Sequence, residues 1–482
     1  MTPEVLTPGT WTAEKVLEFI RERGIAYVDF RLVDLPGQWQ HVTVPAAEVD
    51  LDTFRRGVPF DGSSVRGFRG IEESDMVMMP DPAAAFVDPF TAAPTLAIAC
   101  DVYLPGARDR YERDPRFIAQ KAEAYLRETG IADQSWWGPE LEFFVFDEVR
   151  FGLGPNEAFH LVDSAEAAWN TGRPGGNGYQ VRHKQGYFPV APTDTMTDLR
   201  TEMCDELQRA GIRVERHHHE VATAGQAEIN FAAGSLVQTA DNVMAYKYIV
   251  RNVARRHGKT ATFMPKPLYG DNGSGMHVHQ SLSQNGTNLF WDENGYGHLS
   301  QLALHYIGGI LYHAPALTAF TNPTTNSYRR LVPGYEAPVN LVFSKGNRSA
   351  AVRIPISIAS PRSARIEFRT PDATANPYLA FAAMLMAGLD GIMNGIDPVA
   401  LGYGPIDKNI YKLDGEERAR IRSVPASLEE SLRHLEEDHE FLLRGGVFTE
   451  EFLETWVDLK REEADAVRLR PHPAEFALFF DA

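Results

Sequence analysis

The segment "GPELEFFVF", residues 138–146, carries Glu140 and Glu142 two positions apart in an otherwise apolar run. Side chains alternate across a β-strand, so both carboxylates would share one face while Leu141, Phe143 and Val145 share the other. A carboxylate withdrawn from water normally acquires a cation, a set of donors or a proton. An exposed acidic face would produce the same pattern. The rest of the chain has to decide between them.

A second pair of carboxylates lies in "VERHHHEVATAGQAEINF", which reads as a hairpin turning near Ala224 and Gly225. Glu220 and Glu228 are equidistant from Ala224, an expected register that makes them cross-strand neighbours. Facing like charges destabilise a sheet unless a cation lies between them, so the pair is either a metal site or a solvated ribbon. His218 shares the face of Glu220, and His217 and His219 point the other way. In "GDNGSGMHVHQSL", Gly270, Gly273 and Gly275 allow close backbone approach to a ligand, and His277 and His279 share a strand face, as metal or phosphate ligands or as hydrogen-bonded structural imidazoles.

"SARIEFRT" places Arg365, Glu367 and Arg369 on one face and Ile366 and Phe368 on the other, the charge pattern of a lined cavity. Arg329, Arg330, Arg348 and Arg353 add guanidinium forks suited to carboxylate and phosphate, or to surface ion pairs. Five strand glutamates, one or two histidines and no thiolate favour Mg2+ or Mn2+ over zinc. Divalent ions beside arginines are what phosphoryl transfer requires, which points to an ATP-using enzyme. Standard nucleotide fingerprints are absent: there is no G-x-G-x-x-G, and "HGKT" at 257–260 has Val253 where a P-loop needs its first glycine.

These residues need a scaffold, and 482 residues with 44% hydrophobic content supply a large core. A formal charge of −18 counts against a general nucleic-acid partner or an anionic membrane. Cys100 and Cys204 are too few and too far apart for a disulfide framework or thiolate zinc site. With no membrane-length apolar run and no signal-peptide pattern at the N-terminus, a cytoplasmic location is expected. Residues 12–22 read as a helix, and "AYVDFRLVDLPGQWQHVTVP" as two strands around Pro36-Gly37. Asp114-Pro115 opens a helix that stops at Gly130, with a domain boundary near residue 110.

Further on, strands at 139–146, 213–221, 226–231, 275–283, 350–358 and 364–370 are separated by helices at 197–210, 235–257 and 376–394. This is an α+β pattern. Residues 150–176 read as a loop excursion and 402–425 as an exposed insertion.

The chain resembles the bacterial type I glutamine synthetases over nearly its whole length. The resemblance rests on "FDGSS", "ESDM", "GPELEFF", "HHHEVATAGQ", "GKTATFMPKP", "GDNGSGMH", "NPTTNSY", "RLVPGYEAPV", "NRSA", "ANPYLA" and "LKREE". It implies an N-terminal β-grasp domain (1–110) and a C-terminal catalytic domain (111–482) whose curved antiparallel sheet forms a funnel-shaped site at the subunit interface. It also implies a dodecamer of two hexameric rings, with nitrogen-regulatory proteins as further partners.

The activity implied is formation of glutamine from glutamate, ammonium and ATP through γ-glutamyl phosphate, with two or more Mg2+ or Mn2+ per site. By the same resemblance, Glu142, Glu220 and Glu228 hold one metal and Glu140, His277 and Glu367 another. Asn272, Gly273 and Arg330, with Glu336 and Arg369, meet glutamate. Glu215, His279 and Ser281, with Arg348, Arg353 and Arg365, meet ATP. Asp61 and Glu336 are the ammonium-site carboxylates, and Asp61 completes a neighbouring subunit's site. A relative using a different amine would lose those two carboxylates, and an inert scaffold would not need every metal ligand. In "KNIYKLDGEE", Tyr411 falls where some members are adenylylated, but Lys412 replaces their Asp and Leu-Asp replaces Leu-Pro.

Overall fold

The computed structural model describes residues 11–106, 109–332, 337–358, 360–408, 410, 413 and 415–482. Helix Ala13–Glu22 is capped by the Thr12 hydroxyl, which accepts from the Lys15 amide, and buries Val16 and Ile20. Strands β1 (Tyr27–Val33), β2 (Trp39–Pro45), β3 (Val58–Asp61), β4 (Asp75–Asp88) and β5 (Thr95–Tyr103) form a sheet of order β2-β1-β5-β4-β3. Within it β1 and β5 run parallel and the other neighbours antiparallel. The Pro36-Gly37 turn joins β1 to β2 as expected. Gly37 sits at φ +91°, and a Cβ there would come within 2.9 Å of the Asn376 Cα, so backbone conformation and close approach both demand glycine. Asn376 donates to the carbonyls of Asp34 (3.2 Å) and Leu35 (3.1 Å), docking this turn on the start of helix Pro377–Met393.

The second sheet is built around β6 (Gln134–Phe146), the strand that carries Glu140 and Glu142. After a separate hairpin, β7 (Glu148–Leu153) and β8 (Ala158–Asp163), come β9 (Val214–His219), β10 (Gln226–Phe231), β11 (Thr260–Thr262), β12 (Met276–Gln284), β13 (Thr287–Asn288), β14 (Asn340–Lys345), β15 (Ala350–Ile354) and β16 (Ile366–Phe368). Their order is β14-β15-β16-β12-β6-β10-β9, with β11 on β6 and β13 on β12, and all but the β14–β15 pair is antiparallel.

The odd-numbered face of β6 is apolar and packs on helices. Phe143 meets Tyr246 of helix Leu236–Arg256, and Trp137 stacks on Phe381 with ring centroids 5.2 Å apart. Helix Pro377–Met393 is buried around nearly its whole circumference, which explains its lack of a polar face. The opposite face of β6 is charged at 140 and 142 and apolar at Phe144 and Phe146, which Ala167, Ala222 and Ala224 cover. Both cysteines are free and buried. Among the described residues no helix is long and apolar enough to cross a membrane.

Several expectations are corrected. Residues 150–176 are not simply a loop: β7 and β8 pair from Glu148 opposite Asp163 to Leu153 opposite Ala158, and a short 3-10 turn follows at Ala168–Asn170. The stretch 402–425 is not wholly exposed, because Tyr403, Ile410 and Val424 bury their side chains. The strands expected at 350–358 and 364–370 shorten to β15 and β16. The β9–β10 register differs by two residues, with His219 opposite Ala227 and His218 opposite Glu228. The Glu220 amide bonds the Gln226 carbonyl, so Glu220 and Glu228 are diagonal and not directly paired. The tight turn centres on Thr223, whose amide is held by Asp271 at 2.9 Å.

One buried cation ties the two sheets together. Arg116, 4% exposed, donates from Nη1 to Asp101 (2.6 Å), from Nη2 to Asp81 (2.6 Å) and from Nε and Nη2 to Asp241 (3.1 and 3.0 Å). Asp81 and Asp101 belong to the N-terminal sheet and Asp241 to helix Leu236–Arg256. Asp114, beside it, is pushed up to about 6 by burial and by the Asp101 charge. Arg116→Met would take this cation from Asp81 and Asp241 and leave Asp101 to Arg110 at 3.2 Å, and the expected cost is about 3–5 kcal/mol. A chemical-denaturation midpoint unchanged from wild type would show that Arg116 does not join the sheets.

Candidate active site

Strand alternation aims the even-numbered side chains of β6, β9, β10 and the odd-numbered side chains of β12, β15 and β16 into one cavity of about 350 Å³. Register then sets neighbours. Glu142 lies directly opposite Glu228, Glu140 opposite His277, His279 opposite Glu367, and Glu367 opposite Arg353. His218, opposite Glu228, continues the row onto β9. Among the described residues two groups could each hold a cation: Glu140, His279 and Glu367, and His218, Glu220 and Glu228, with the ligand atoms of each group within 4.8 Å of one another. His277 Nδ1 lies 3.7 Å from Glu140 and 3.6 Å from Glu367, so it borders the first group.

The two halves of the cavity differ electrostatically. Burial opposes ionisation of Glu140, but His277 at 3.7 Å and His279, hydrogen-bonded at 3.2 Å, outweigh it and hold the carboxyl well below the ordinary range. Glu367 is buried too, and His279, Arg369, His277 and Arg353 together keep it low. Arg369 Nε donates to it at 3.1 Å, and Arg353 Nη1 bonds its other oxygen. On the other side, Glu220 is pushed up to about 9 by burial and by the charges of Glu142 and Glu228. Burial, with Glu228 adding to it, also raises Glu142, although its oxygen accepts from the Gly275 amide at 2.9 Å. Three crowded carboxylates with hard oxygen donors and no thiolate fit Mg2+ or Mn2+.

The cavity gathers Glu140, Glu142, Glu220, Glu228, His277, His279, Arg348, Arg353, Arg365, Glu367 and Arg369. Arg365 Nε lies 3.3 Å from His279 Nδ1. Asn272, Gly273 and Arg330 are adjacent but do not line it. Arg330 is buried and donates to the carbonyls of Thr370 (2.7 Å), Pro371 (3.3 Å) and Arg369 (3.2 Å). A Cβ at Gly275 would come within 2.5 Å of Arg330 Nη2, which explains that glycine.

Three expected residues stand apart from the cavity lining. Glu215 sits at a register shift in β9 and pairs with Arg213 at 3.4 Å. Ser281 pairs with Trp136 further along β12. Asp61 is exposed, and hydrogen bonds from Ser63 and Ser64 hold its carboxyl low. Glu336 and Tyr411 lie outside the described residues.

Sequence reasoning missed Arg216, Tyr187 and Phe188, which also line the cavity. Arg216 keeps the even parity of His218 and Glu220, a signal that could have found it. Tyr187 and Phe188 stack on each other at 3.9 Å and meet the His218 ring edge-on, a loop arrangement without a local periodic signal.

The chain is similar to known proteins along nearly its whole length. The family model "Glutamine synthetase, beta-Grasp domain" matches residues 24–105, and "Glutamine synthetase, catalytic domain" matches residues 112–479. The glutamine synthetase of Frankia alni is 58% identical over 473 residues, 97% of this chain and 99% of that protein. That of Mycolicibacterium smegmatis is 55% identical over 477 residues, 98% of this chain and 99% of that protein. A cryo-EM structure of Plasmodium falciparum glutamine synthetase matches with a TM-score of 0.88 at 30% identity, over 98% of this chain and 99% of that one.

The raised Glu220 carboxyl has a sign that can be measured. Between its unfolded value near 4.5 and its folded value near 9, the folded chain holds a proton that the unfolded chain has released. Stability of the metal-free protein therefore falls as pH rises through that window. Glu220→Gln should flatten this slope in chelator, and added Mg2+ should raise the wild-type melting temperature more at pH 8.5 than at pH 6. Equal gains at both pH values would count against a cation at these carboxylates.

Proposed function

The chain belongs to the glutamine synthetase family, and from that premise we propose how its own residues carry out the family's reaction. It is an ATP-dependent ligase that joins ammonia to the γ-carboxylate of L-glutamate through γ-glutamyl phosphate, giving L-glutamine, ADP and phosphate. The observation that carries the assignment of roles is the row of register-paired glutamates and histidines facing arginines across one cavity.

In this reading Glu142, Glu220 and Glu228 hold one divalent ion, with His218 beside them, and Glu140, His277 and Glu367 hold another, with His279 beside them. Bound Mg2+ or Mn2+ supplies neutralisation of charge on the transferring phosphoryl oxygens. Arg348, Arg353 and Arg365 orient the phosphates of ATP, towards which Glu215, His279 and Ser281 also lie. Asn272, Gly273 and Arg330 fix glutamate, with Arg369 on the side of the cavity where the γ-carboxylate reacts. One γ-carboxylate oxygen attacks the γ-phosphorus, and its bond to the β–γ bridging oxygen breaks to release ADP. Asp61 and Glu336 bind ammonium and accept its proton. The resulting ammonia attacks the acyl carbon, phosphate leaves with the electron pair of the carbon–oxygen bond, and the nitrogen gives its surplus proton to the departing phosphate.

Asp61 reaches a site only if another subunit presents one, because it is exposed and outside its own chain's cavity. That supports an assembly of the dodecameric kind, two hexameric rings in a cytoplasmic enzyme. The division into residues 1–110 and 111–482, adenylylation at Tyr411 and regulation by nitrogen-sensing proteins belong to the same reading.

Phosphate release from ATP with Mg2+ and glutamate should require ammonium and yield glutamine in equal amount. Release driven only by putrescine or spermidine would reassign the amine, and no release from assembled, metal-loaded protein would leave a scaffold. Asp61→Asn should lower kcat/KM for ammonium by about 10²–10⁴-fold, the range of a lost acid–base group. Glu140→Ala should remove one bound metal per chain and most activity; unchanged metal content and rate would refute its role as a ligand.

A further inference from the structure

The motif "LKREE" at 459–463 has no role in the active site. Lys460 and Glu463 of this run, on helix Glu450–Arg468, face a second cavity of about 580 Å³. Its other walls include the Pro36–Trp39 turn and Arg66 of the N-terminal region, Lys247, Tyr248 and Arg251 of helix Leu236–Arg256, and the segment 262–264. Among the described residues it shares no lining residue with the active-site cavity. The volume lies in the usual range for small-molecule sites, about 300–1,000 Å³.

The charge of this cavity is lopsided. Arg66, Lys247, Arg251 and Lys460 line it, and Glu463 is the one carboxylate among the described lining residues. Both Glu463 oxygens are taken, one by Lys460 Nζ at 2.9 Å and the other by Arg66 Nη1 at 2.9 Å. Lys247 is 5% exposed, and its ammonium, with three protons to donate, bonds the Ala375 carbonyl at 3.1 Å. Arg251 opens to solvent and lies over the Phe263 ring at 5.2 Å. Among the described residues neither Lys247 nor Arg251 has an ion-pair partner. Asp372, the carboxylate whose charge reaches Lys247, is occupied by Asn322 and Thr374. Burial, and then the Arg251 charge, push the Lys247 ammonium down to about 7.

A buried ammonium with no carboxylate in contact is costly, and here it faces an open cavity beside a guanidinium that has no ion-pair partner among the described residues. This happens in a protein whose formal charge is −18. A tetrahedral oxyanion suits both partners, since a guanidinium fork takes two of its oxygens and an ammonium acts as a point charge on a third. We propose that this cavity between the N-terminal turn and the two helices binds a small phosphate-class oxyanion, held by Lys247 and Arg251 within the positive wall of Lys460 and Arg66. Because its walls come from both ends of the chain, occupancy would clamp the N-terminal region onto the helices.

The test uses full-length, assembled protein with two probes, tungstate and inorganic phosphate. Crystals soaked in tungstate should show anomalous density at hydrogen-bond distance from Lys247 and Arg251. Phosphate at constant ionic strength should raise the melting temperature of the wild type and of Arg353→Ala, whose change lies in the active site. Arg251→Ala, a solvent-facing change that spares the fold, should weaken that response at least tenfold, and Lys247→Met should abolish it. Tungstate confined to the active-site cavity, or a phosphate response lost in Arg353→Ala and kept in Arg251→Ala, would overturn the proposal.

Discussion

Five glutamate carboxylates share one face of one sheet, and the repulsion among them is the constraint that the rest of the site answers. Around Glu140 and Glu367 the chain supplies its own counter-charges, His277, His279, Arg353 and Arg369, and both carboxyls stay low. Around Glu142, Glu220 and Glu228 it supplies far less, and Glu220 holds on to a proton. The demand for an added cation is therefore greatest in the second group. Two neighbouring positions on β6 thus face different electrostatic environments, although they point the same way.

Holding such a face in place requires a rigid reverse side. Trp137, Leu141, Phe143 and Val145 bury the opposite face of β6 against helices, and helix Pro377–Met393 closes that core from behind. The same helix begins at Asn376, which grips the Pro36-Gly37 turn of the N-terminal sheet. Arg116 repeats the connection with charge, drawing carboxylates from both regions onto one guanidinium. The N-terminal sheet is thereby fixed to the framework that positions the active site. The Pro36-Gly37 turn also borders the cationic cavity, whose described lining residues carry more positive charge than their one carboxylate neutralises.

Much of the site was legible in the sequence because its signals are local. Each strand that carries a cavity residue was expected, and the faces of Glu140, Glu142, His218, Glu220 and Glu367 follow from parity alone. The β9–β10 pairing shows where such reasoning stops. A register slip of two residues preserves every face, because the side-chain period is two, yet it changes every partner: Glu228 meets His218 and not Glu220. The turn that sets this register is held by Asp271, 48 positions away along the chain, which no local pattern reveals. Glu215, on a register shift, and Tyr187 and Phe188, in an irregular segment, lie where parity carries no information.

The sequence by itself determined which residue types could do the chemistry, which side of each strand they occupy and which family the chain resembles. Those properties depend on neighbours one to four positions away and on the order of motifs. Only the tertiary structure decided which carboxylates meet, which are already neutralised, and that Lys460 and Lys247, far apart in the chain, share a cavity. Distance between strands, burial and the counter-charges within reach are set by packing across the whole chain, so they come into being only when it folds.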